Sequence, residues 1–251
     1  MKREVSLAST EIVVNNEAIE SLAQKQFTSK YPISDEKMLE LLKKYPFLKH
    51  RKFWAQNPND VYDNDKDNIE HNKYKIWDNT GWEDLWKNRY LPRLFKLYDT
   101  WDDETKSRFY ITDIKEKYGN LRIYTSFSTR DNLESIAMDL SKYTCAECGK
   151  EPRTEDGKRV IWTTGGWITN LCRDCVRKYV LENAVGELPE EDIQRYVDNM
   201  KHVQETPFGY LECCGDVTKK VTYKETPDNW LEIDKEEIVT KDETPNNGMV
   251  E

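Results

Sequence analysis

The amino-acid sequence predicts an α+β protein, and three observations support this fold class. Apolar residues recur at helical spacing over residues 34–45 and again over 77–101. Two β-rich segments follow at 109–117 and 121–127. Two C-x-x-C pairs then enclose a further β-rich region. We therefore expect a mixed body of short helices and hairpins, followed by a small four-cysteine module.

The first helix is predicted from Ser34, which is expected to cap it, to the residue before Pro46. The Asn- and Asp-rich residues 57–68 predict a surface loop, and they lack the Gly and Glu spacing of an EF-hand calcium loop. The aromatic series at 77–101 predicts a core helix or helix pair, with Pro92 at a break or in a first turn.

A β-hairpin is predicted at residues 109–127, with Gly119-Asn120 as its two-residue loop. That register pairs Lys117 with Arg122, and it directs most apolar side chains to the opposite face: Ile114, Tyr118, Leu121, Ile123 and Phe127. Glu116 falls on this apolar face as well. Either the register differs, therefore, or the carboxylate has a specific partner. A helix capped by Asp131 is expected next, over residues 131–142.

The two C-x-x-C pairs form the most specific motif. They are Cys145-Ala146-Glu147-Cys148 and Cys172-Arg173-Asp174-Cys175, and Gly149 directly after the first pair supplies the freedom that a tight knuckle requires. Cys145, Cys148, Cys172 and Cys175 are predicted to hold one structural zinc ion, because four sulfur ligands close the site to substrate or water. Two redox disulfides are the competing interpretation, which a reducing cytosol disfavours.

Between the pairs, residues 160–171 predict a hairpin around Gly165-Gly166, and a helix is expected after the second pair, ending near Gly186. Knuckle, hairpin and helix in that order are typical of a treble-clef-like zinc finger. A plain zinc ribbon, which lacks the helix, is the alternative.

Four regions follow from these patterns: a polar N-terminal arm at 1–33, an α+β body at 34–143, the zinc module at 144–186 and an acidic C-terminal extension at 187–251. The extension contains three Glu-Thr-Pro tripeptides, which are weak evidence of a repeat. Strands that fold back on the body are expected at 209–211, 217–223 and 230–233.

Charge is unevenly distributed along the chain. The net charge of its 251 residues is −9, and residues 183–251 alone carry 7 basic and 17 acidic side chains. Nucleic-acid binding draws on counterion release by a basic surface, so this balance disfavours non-specific binding of nucleic acid. The sequence contains no apolar segment of the roughly 20 residues that cross a bilayer and no signal-type block at its start. We expect a cytoplasmic protein without a membrane partner.

Catalytic motifs are missing from the sequence. Its 3 histidines all lie away from the cysteine pairs, which excludes a treble-clef nuclease of the His-metal type. Phosphate-binding glycine loops, G-x-S-x-G, H-E-x-x-H and deaminase motifs are also missing. Enzymatic activity is therefore not expected, although carboxylates are numerous enough for a dispersed metal-dependent hydrolase or nuclease site.

Several blocks together resemble a family of small, uncharacterised proteins of bacteriophages and bacterial genomes. The resemblance spans about residues 35–180, and its blocks are Lys44-Tyr45-Pro46-Phe47-Leu48, Gly81-Trp82, Lys115-Glu116-Lys117-Tyr118-Gly119-Asn120-Leu121-Arg122-Ile123-Tyr124 and the two cysteine pairs with Gly166-Trp167-Ile168. It implies a phage or prophage origin, hence the cytoplasm of a host cell, and a zinc-stabilised fold. It carries no activity over to this chain.

The leading hypothesis for function is a non-enzymatic protein that binds and modulates a host protein. Lys115, Lys117 and Arg122 share one hairpin face, and with Trp167 of the zinc hairpin they are the predicted partner-binding residues. The acidic extension is the other candidate contact surface. A solvated strand face is the simpler interpretation of the three cations. A nucleic-acid-associated zinc-finger factor and a hydrolase with dispersed carboxylates are the alternative functions.

Overall fold

The computed structural model describes residues 33–49, 65–72, 80–129, 131–165, 168–184, 186–204, 208–214 and 217–239. All of them belong to one unit of the chain, Pro32–Glu251, and the predicted N-terminal arm lies almost entirely outside the described residues. Trp167, the predicted Glu-Thr-Pro repeats at 205–207 and 243–245, and most of the predicted loop at 57–68 also lie outside them.

The described part of the chain confirms the α+β class. Its α-helices are α1 (Asp35–Lys44), α2 (Asp65–Asn72), α3 (Leu91–Asp99), α4 (Asp103–Arg108), α5 (Leu133–Ser141), α6 (Arg173–Asn183) and α7 (Glu190–Asn199). A 3-10 turn (Pro46–Leu48) follows α1, and a π-helical segment (Asp84–Tyr90) precedes α3. The strands are β1 (Ile111–Lys117), β2 (Asn120–Thr125), β3 (Val160–Thr163), β4 (Asn170–Leu171), β5 (Lys201–Val203), β6 (Gly209–Cys214), β7 (Val217–Glu225) and β8 (Leu231–Val239).

The first helix begins as predicted, because the Ser34 side chain accepts a hydrogen bond from the Lys37 amide at 3.3 Å. Residues 65–68 differ from prediction, since they open helix α2 instead of continuing a loop. Within the aromatic series at 77–101, the predicted helix pair is a π-helical segment that continues directly into helix α3. The Leu91 amide still bonds to the Trp86 carbonyl in π-helical register, and Pro92, which has no amide to donate, stands where the α-helical register begins.

The main core joins these helices to the first hairpin and to the C-terminal strands. Trp82, Trp86 and Tyr90 of the π-helical region are fully buried in it. The same cluster includes Val221, Tyr223, Trp230 and Leu231. The C-terminal strands therefore fold back on the body, as the sequence predicted.

Strands β1 and β2 pair in a register that differs from the predicted one. Lys117 pairs with Asn120 and Lys115 with Arg122, so the loop is Tyr118-Gly119 and not Gly119-Asn120. Both loop residues have positive φ, 53° and 74°, as a type I′ turn requires, and glycine takes the second position. The pairing has moved by an even number of residues, so the predicted faces are unchanged apart from Tyr118, which enters the loop.

The predicted cap of helix α5 is wrong. Asn132, not Asp131, occupies the capping position, and its side chain makes no capping bond. The capping bond comes from Thr129 instead. Its hydroxyl group accepts a hydrogen bond from the Leu133 amide at 3.1 Å and donates one to the Glu134 carboxylate at 2.9 Å. Glu134 in turn accepts a bond from the Tyr90 hydroxyl at 3.0 Å, which ties this cap to the core.

A second apolar cluster lies under the cysteine module. β3 pairs with β4 on one side and with β5 on the other, giving the order β4-β3-β5. Ile193 and Val197 of α7 are buried in this cluster with Val176 and Val180 of α6. The first part of the predicted acidic extension therefore packs with the module that the sequence separated from it at residue 186.

The remaining strands form an antiparallel sheet in the order β6-β7-β8. Arg93 attaches the β7–β8 turn to the body, since it pairs with Asp228 and stacks over the Trp230 ring at 4.7 Å. Within the described ranges, none of the helices has both the length and the apolar character needed to span a membrane.

Candidate metal centre

The four predicted ligands come together at one point. The Sγ atoms of Cys145, Cys148, Cys172 and Cys175 all lie within 4.8 Å of one another, and those of Cys148 and Cys172 are 3.6 Å apart. Cys145 and Cys172 are buried, whereas Cys148 is exposed. In the part of the chain that the structure describes, this is the one group of His, Cys, Asp or Glu side chains that could hold a metal ion.

A tight knuckle presents the first pair of thiols. The Gly149 amide donates to the Cys145 carbonyl at 2.9 Å, and the Cys145 amide donates to the Lys150 carbonyl at 2.9 Å. Gly149 has φ of 75°, a conformation that a residue with a side chain rarely adopts. This fold of the backbone points both thiols of the first pair toward the second.

The second pair is placed by a hairpin and a helix. β3 and β4 pair Trp162 with Leu171, and the chain then enters α6 with Cys172 as its capping residue. Cys175 lies in the first turn of α6. The helix expected after the second pair is therefore present.

The surroundings of the thiols shift their pKa values in opposite directions. Burial raises the pKa of Cys145 to about 11, and burial together with the charge of Cys145 raises that of Cys175 further still. Burial also tends to raise the pKa of Cys148, but hydrogen bonds from the Lys150 amide and neighbouring cysteines outweigh it, and the net pKa is lowered. Burial and mutual repulsion disfavour four thiolates this close together without a cation, and the positive charge of a bound metal ion would stabilise them and lower their pKa values.

The knuckle is fastened to the body by Gly81 and Trp82. The Gly81 amide donates to the Ala146 carbonyl at 2.7 Å, and the Trp82 indole donates to the Thr144 carbonyl at 3.0 Å. A Cβ atom on Gly81 would lie 1.9 Å from the Cys145 carbonyl oxygen. The Gly81-Trp82 block of the sequence thus has a physical role, since only glycine allows this close passage over the knuckle.

The hairpin between the cysteine pairs contacts the tip of the β1–β2 hairpin. Asn170 is buried, and its side-chain amide donates a hydrogen bond to the Gly119 backbone carbonyl at 2.8 Å. The Ala146 backbone amide donates to the Asn170 backbone carbonyl, also at 2.8 Å. Asn170 therefore connects the knuckle, β4 and the Tyr118-Gly119 turn. Asn170 is not among the predicted site residues, although an Asn two residues before a cysteine ligand in an apolar strand is a signal that could have identified it.

Glu116 has the specific partner that its apolar surroundings required. Its carboxylate accepts a hydrogen bond from the Gly119 amide at 2.6 Å, which fixes the turn. Burial raises the pKa of Glu116, and the Gly119 bond opposes that rise only in part. This geometry gives the carboxylate a role in holding the hairpin tip.

A buried ion-pair network connects the knuckle to the C-terminal sheet. The carboxylate of Glu151, just after the knuckle, pairs with both Arg89 and Arg159. Arg159, whose side chain is 1% exposed, also donates to Glu225 at 2.6 Å. Arg89 donates to the Asn229 carbonyl at 3.2 Å. Apart from Glu151 and Arg159, these partners are far apart in sequence, and spacing alone could not have indicated them.

The predicted partner-binding cations differ in their surroundings. Lys117 is exposed and lies over the Tyr118 ring at 5.4 Å. Lys115 pairs with Asp113 and lies over Tyr124 at 5.2 Å. Arg122 is partly buried against Met138 of α5. Trp167 lies outside the described residues.

Comparisons of this chain with models of protein families, with curated proteins and with solved structures found no match.

Proposed function

We propose that the protein is a non-enzymatic, zinc-stabilised binding protein whose contact surface is the tip of the β1–β2 hairpin where it meets the cysteine module. The proposal rests on the exposure and the backbone conformation of Tyr118. Its side chain is 68% exposed although its backbone is held in a left-handed turn. A large aromatic side chain on an immobilised turn is a low-entropy contact for a partner protein.

Neighbouring residues complete a small surface of mixed character, which we call the tip surface: Lys117, Tyr118 and Ile168. Ile168 is 44% exposed, and a Cβ on Gly119 would lie 2.8 Å from its side chain, so the two hairpins touch here. The bonds of Glu116 and Asn170 to Gly119 hold the turn at two points. We propose a protein partner because aromatic and apolar side chains beside a single cation are typical of such interfaces.

Zinc is the metal that we propose for the four thiolates, in a treble-clef-like module. Zinc–sulfur bonds of about 2.3 Å in a tetrahedron place the sulfurs about 3.8 Å apart, which the 3.6 Å separation of Cys148 and Cys172 nearly matches. All-sulfur donors favour zinc over hard cations, and the ion's role here is to hold knuckle, hairpin and helix together.

The zinc proposal is tested by metal analysis of purified protein. We expect one zinc ion per chain, and loss of that ion with loss of near-UV circular dichroism after chelation. Cys172→Ser should bind less zinc, whereas His202→Gln, which changes a residue of β5, should bind one ion. Iron in place of zinc, or full structure without metal, would contradict the proposal.

The binding proposal is tested by affinity capture from nuclease-treated bacterial lysate, since the resemblance to phage proteins favours a host protein as partner. One stoichiometric protein should be retained by the wild type, lost with Tyr118→Ser combined with Ile168→Ser, and kept with Phe95→Ser, which changes another exposed aromatic. Retention of nucleic acid in its place, only when nuclease is omitted, would favour the nucleic-acid alternative. Equal capture by the tip variant would remove this surface from consideration.

A further inference from the structure

The tip of the β1–β2 hairpin is held from two directions. On the side of the body, the Leu121 amide near the start of β2 donates to the hydroxyl of buried Ser141, the last residue of α5, at 2.9 Å. On the other side, the Gly119 carbonyl accepts its hydrogen bond from the Asn170 side chain, which belongs to β4 of the cysteine module. The body thus holds the strand, whereas the module holds the turn.

The position of Asn170 depends in turn on the segments that carry the four thiols. Its backbone carbonyl accepts the bond from Ala146, which lies inside the first cysteine pair. Two residues after Asn170, the chain reaches Cys172 of the second pair. A metal ion held by all four thiols joins Cys172 to the first pair, so it also holds β4 against the knuckle. The side chain that reaches the turn is therefore positioned by the metal centre.

The orientation of the Asn170 side chain is fixed within the module as well. The Thr163 hydroxyl of β3 donates to Asn170 Oδ1 at 2.8 Å, and this leaves Nδ2 as the group that donates to the Gly119 carbonyl. Asn170 is 6% exposed, so loss of the Gly119 bond is unfavourable for a buried donor. A displacement of β4 and a displacement of the turn are therefore coupled to each other.

We propose that metal occupancy of the four-cysteine site controls the tip surface, and that Asn170 is the positioning residue through which it does so. The bound ion holds β4, and Asn170 then holds the Tyr118-Gly119 turn in the conformation that displays Tyr118. Coupling of this kind is reciprocal, so a partner that fastens the turn strengthens retention of the ion by the same factor. The biological meaning of this control rests on the proposed function of the tip surface, whereas the coupling is a property of the chain alone.

The first test measures the zinc affinity of the full chain by competition with a chromophoric chelator. Glu116→Ala removes the acceptor of the Gly119 amide and loosens the turn, although Glu116 is not a metal ligand. It should weaken zinc binding about fivefold or more, as typical coupling between sites predicts. The matched control is Asp113→Ala, which removes an acid of the same strand that pairs with Lys115, and it should bind zinc as the wild type does. Wild-type affinity in Glu116→Ala would overturn the proposal.

A double-mutant cycle tests whether the coupling passes through Asn170. Asn170→Ala should itself weaken zinc binding, and Glu116→Ala should have little further effect in its presence. Thr163→Val removes the other side-chain bond of Asn170 but leaves the donor to Gly119, so Glu116→Ala should still weaken zinc binding in that background. A general loss of stability would make the effect of Glu116→Ala the same in all backgrounds, and that result would overturn the role of Asn170.

Hydrogen exchange measured by NMR at saturating zinc reports on the turn directly. In Asn170→Ala, the Gly119 amide should exchange several-fold faster than in the wild type, whereas the Leu121 amide, which Ser141 holds, should exchange at an unchanged rate. An unchanged Gly119 amide, or equal acceleration of both amides, would overturn the proposal. These measurements use no partner protein, so failure of the tip surface to capture one leaves the coupling intact, and the two proposals can fail separately.

Discussion

At the scale of single residues, Gly81 determines how closely the body approaches the metal centre. A methyl group at this position would lie 1.9 Å from the Cys145 carbonyl oxygen and 2.4 Å from the Gly149 nitrogen, both of them backbone atoms that cannot rotate away. The Gly81 amide also bonds to Ala146. The fit of one glycine therefore couples the position of the knuckle to the position of the π-helical segment.

We predict that Gly81→Ala destabilises the metal-bound protein by about 1–3 kcal/mol or more, because the overlap forces the knuckle or the body to move. It should also weaken zinc binding. Urea unfolding at saturating zinc and competition with a chromophoric chelator measure the two effects. Gly165→Ala is the matched control, since a Cβ there meets no atom within 4 Å. Equal stability of the two variants would contradict the close contact.

The pKa of Asp228 supplies a prediction about pH. Hydrogen bonds from Arg93 and Thr226 lower it to about 2, against a smaller opposing effect of burial. A carboxyl group whose folded pKa is lowered stabilises the fold above its unfolded pKa, about 3.9, and that contribution disappears as the pH falls toward 2. Asp228→Asn should therefore be less stable than wild type at pH 7, by at most about 1 kcal/mol because the side chain is largely exposed.

The difference in unfolding free energy between Asp228→Asn and the wild type should shrink as the pH falls from 5 toward 2, and thermal unfolding at each pH measures it. Loss of metal in acid affects both proteins alike and cancels in the comparison. A difference that is independent of pH would show that the ion pair with Arg93 does not stabilise the fold.

At the scale of secondary-structure elements, the start of helix α5 depends on Thr129 and not on a residue next to the helix. The Thr129 hydroxyl serves both the Leu133 amide and Glu134, and Thr129 is 3% exposed. We predict that Thr129→Val costs about 1–2 kcal/mol, as expected for a lost cap. Thr129→Ser should retain most of the stability, and thermal unfolding of the two variants provides the comparison. Similar losses in both would assign the effect to packing of the methyl group.

The β1–β2 hairpin shows which features of an element could be predicted from the sequence. Alternation of apolar and polar residues identified the two strands and their faces, because that pattern is local. The turn was misplaced by one residue, since the sequence favoured glycine in the first loop position. Tyr118 adopts the left-handed conformation because Glu116 and Asn170, one near and one distant in sequence, both bind Gly119. Long-range bonds of this kind have no periodic signal.

At the scale of the whole molecule, the C-terminal strands are part of the main core. Trp230 and Leu231 are 2% and 1% exposed, and Val221 and Tyr223 belong to the same cluster. We predict that a chain ending at Gln204 loses cooperative unfolding and binds a dye that reports exposed apolar surface. Full-length Ile238→Ser, which changes an exposed apolar residue of the same sheet, should unfold cooperatively. A cooperative, dye-negative truncated protein would show that the body folds without these strands.

The sequence was most informative about the metal centre and least informative about how the regions join. Four cysteines at fixed spacing carry their chemistry locally, so their grouping could be predicted. Acidic composition suggested that the residues directly after 186 form a separate extension, yet Ile193 and Val197 are buried in the apolar cluster of the cysteine module. Net charge describes the exposed side chains of a segment, and a few apolar residues at the right spacing are enough to place it in a core.

The participation of Trp230 and Leu231 in the main core has a consequence for how the protein is made. A ribosome synthesises the helices and the first hairpin well before it reaches these residues, so the core of the body stays open at one side during that interval. The four cysteines are translated earlier than β8 and can bind their ion sooner. Assembly of the four-cysteine site is then an early event in biogenesis, and closure of the core against Trp230 is the late one, during which chaperones have apolar surface to recognise.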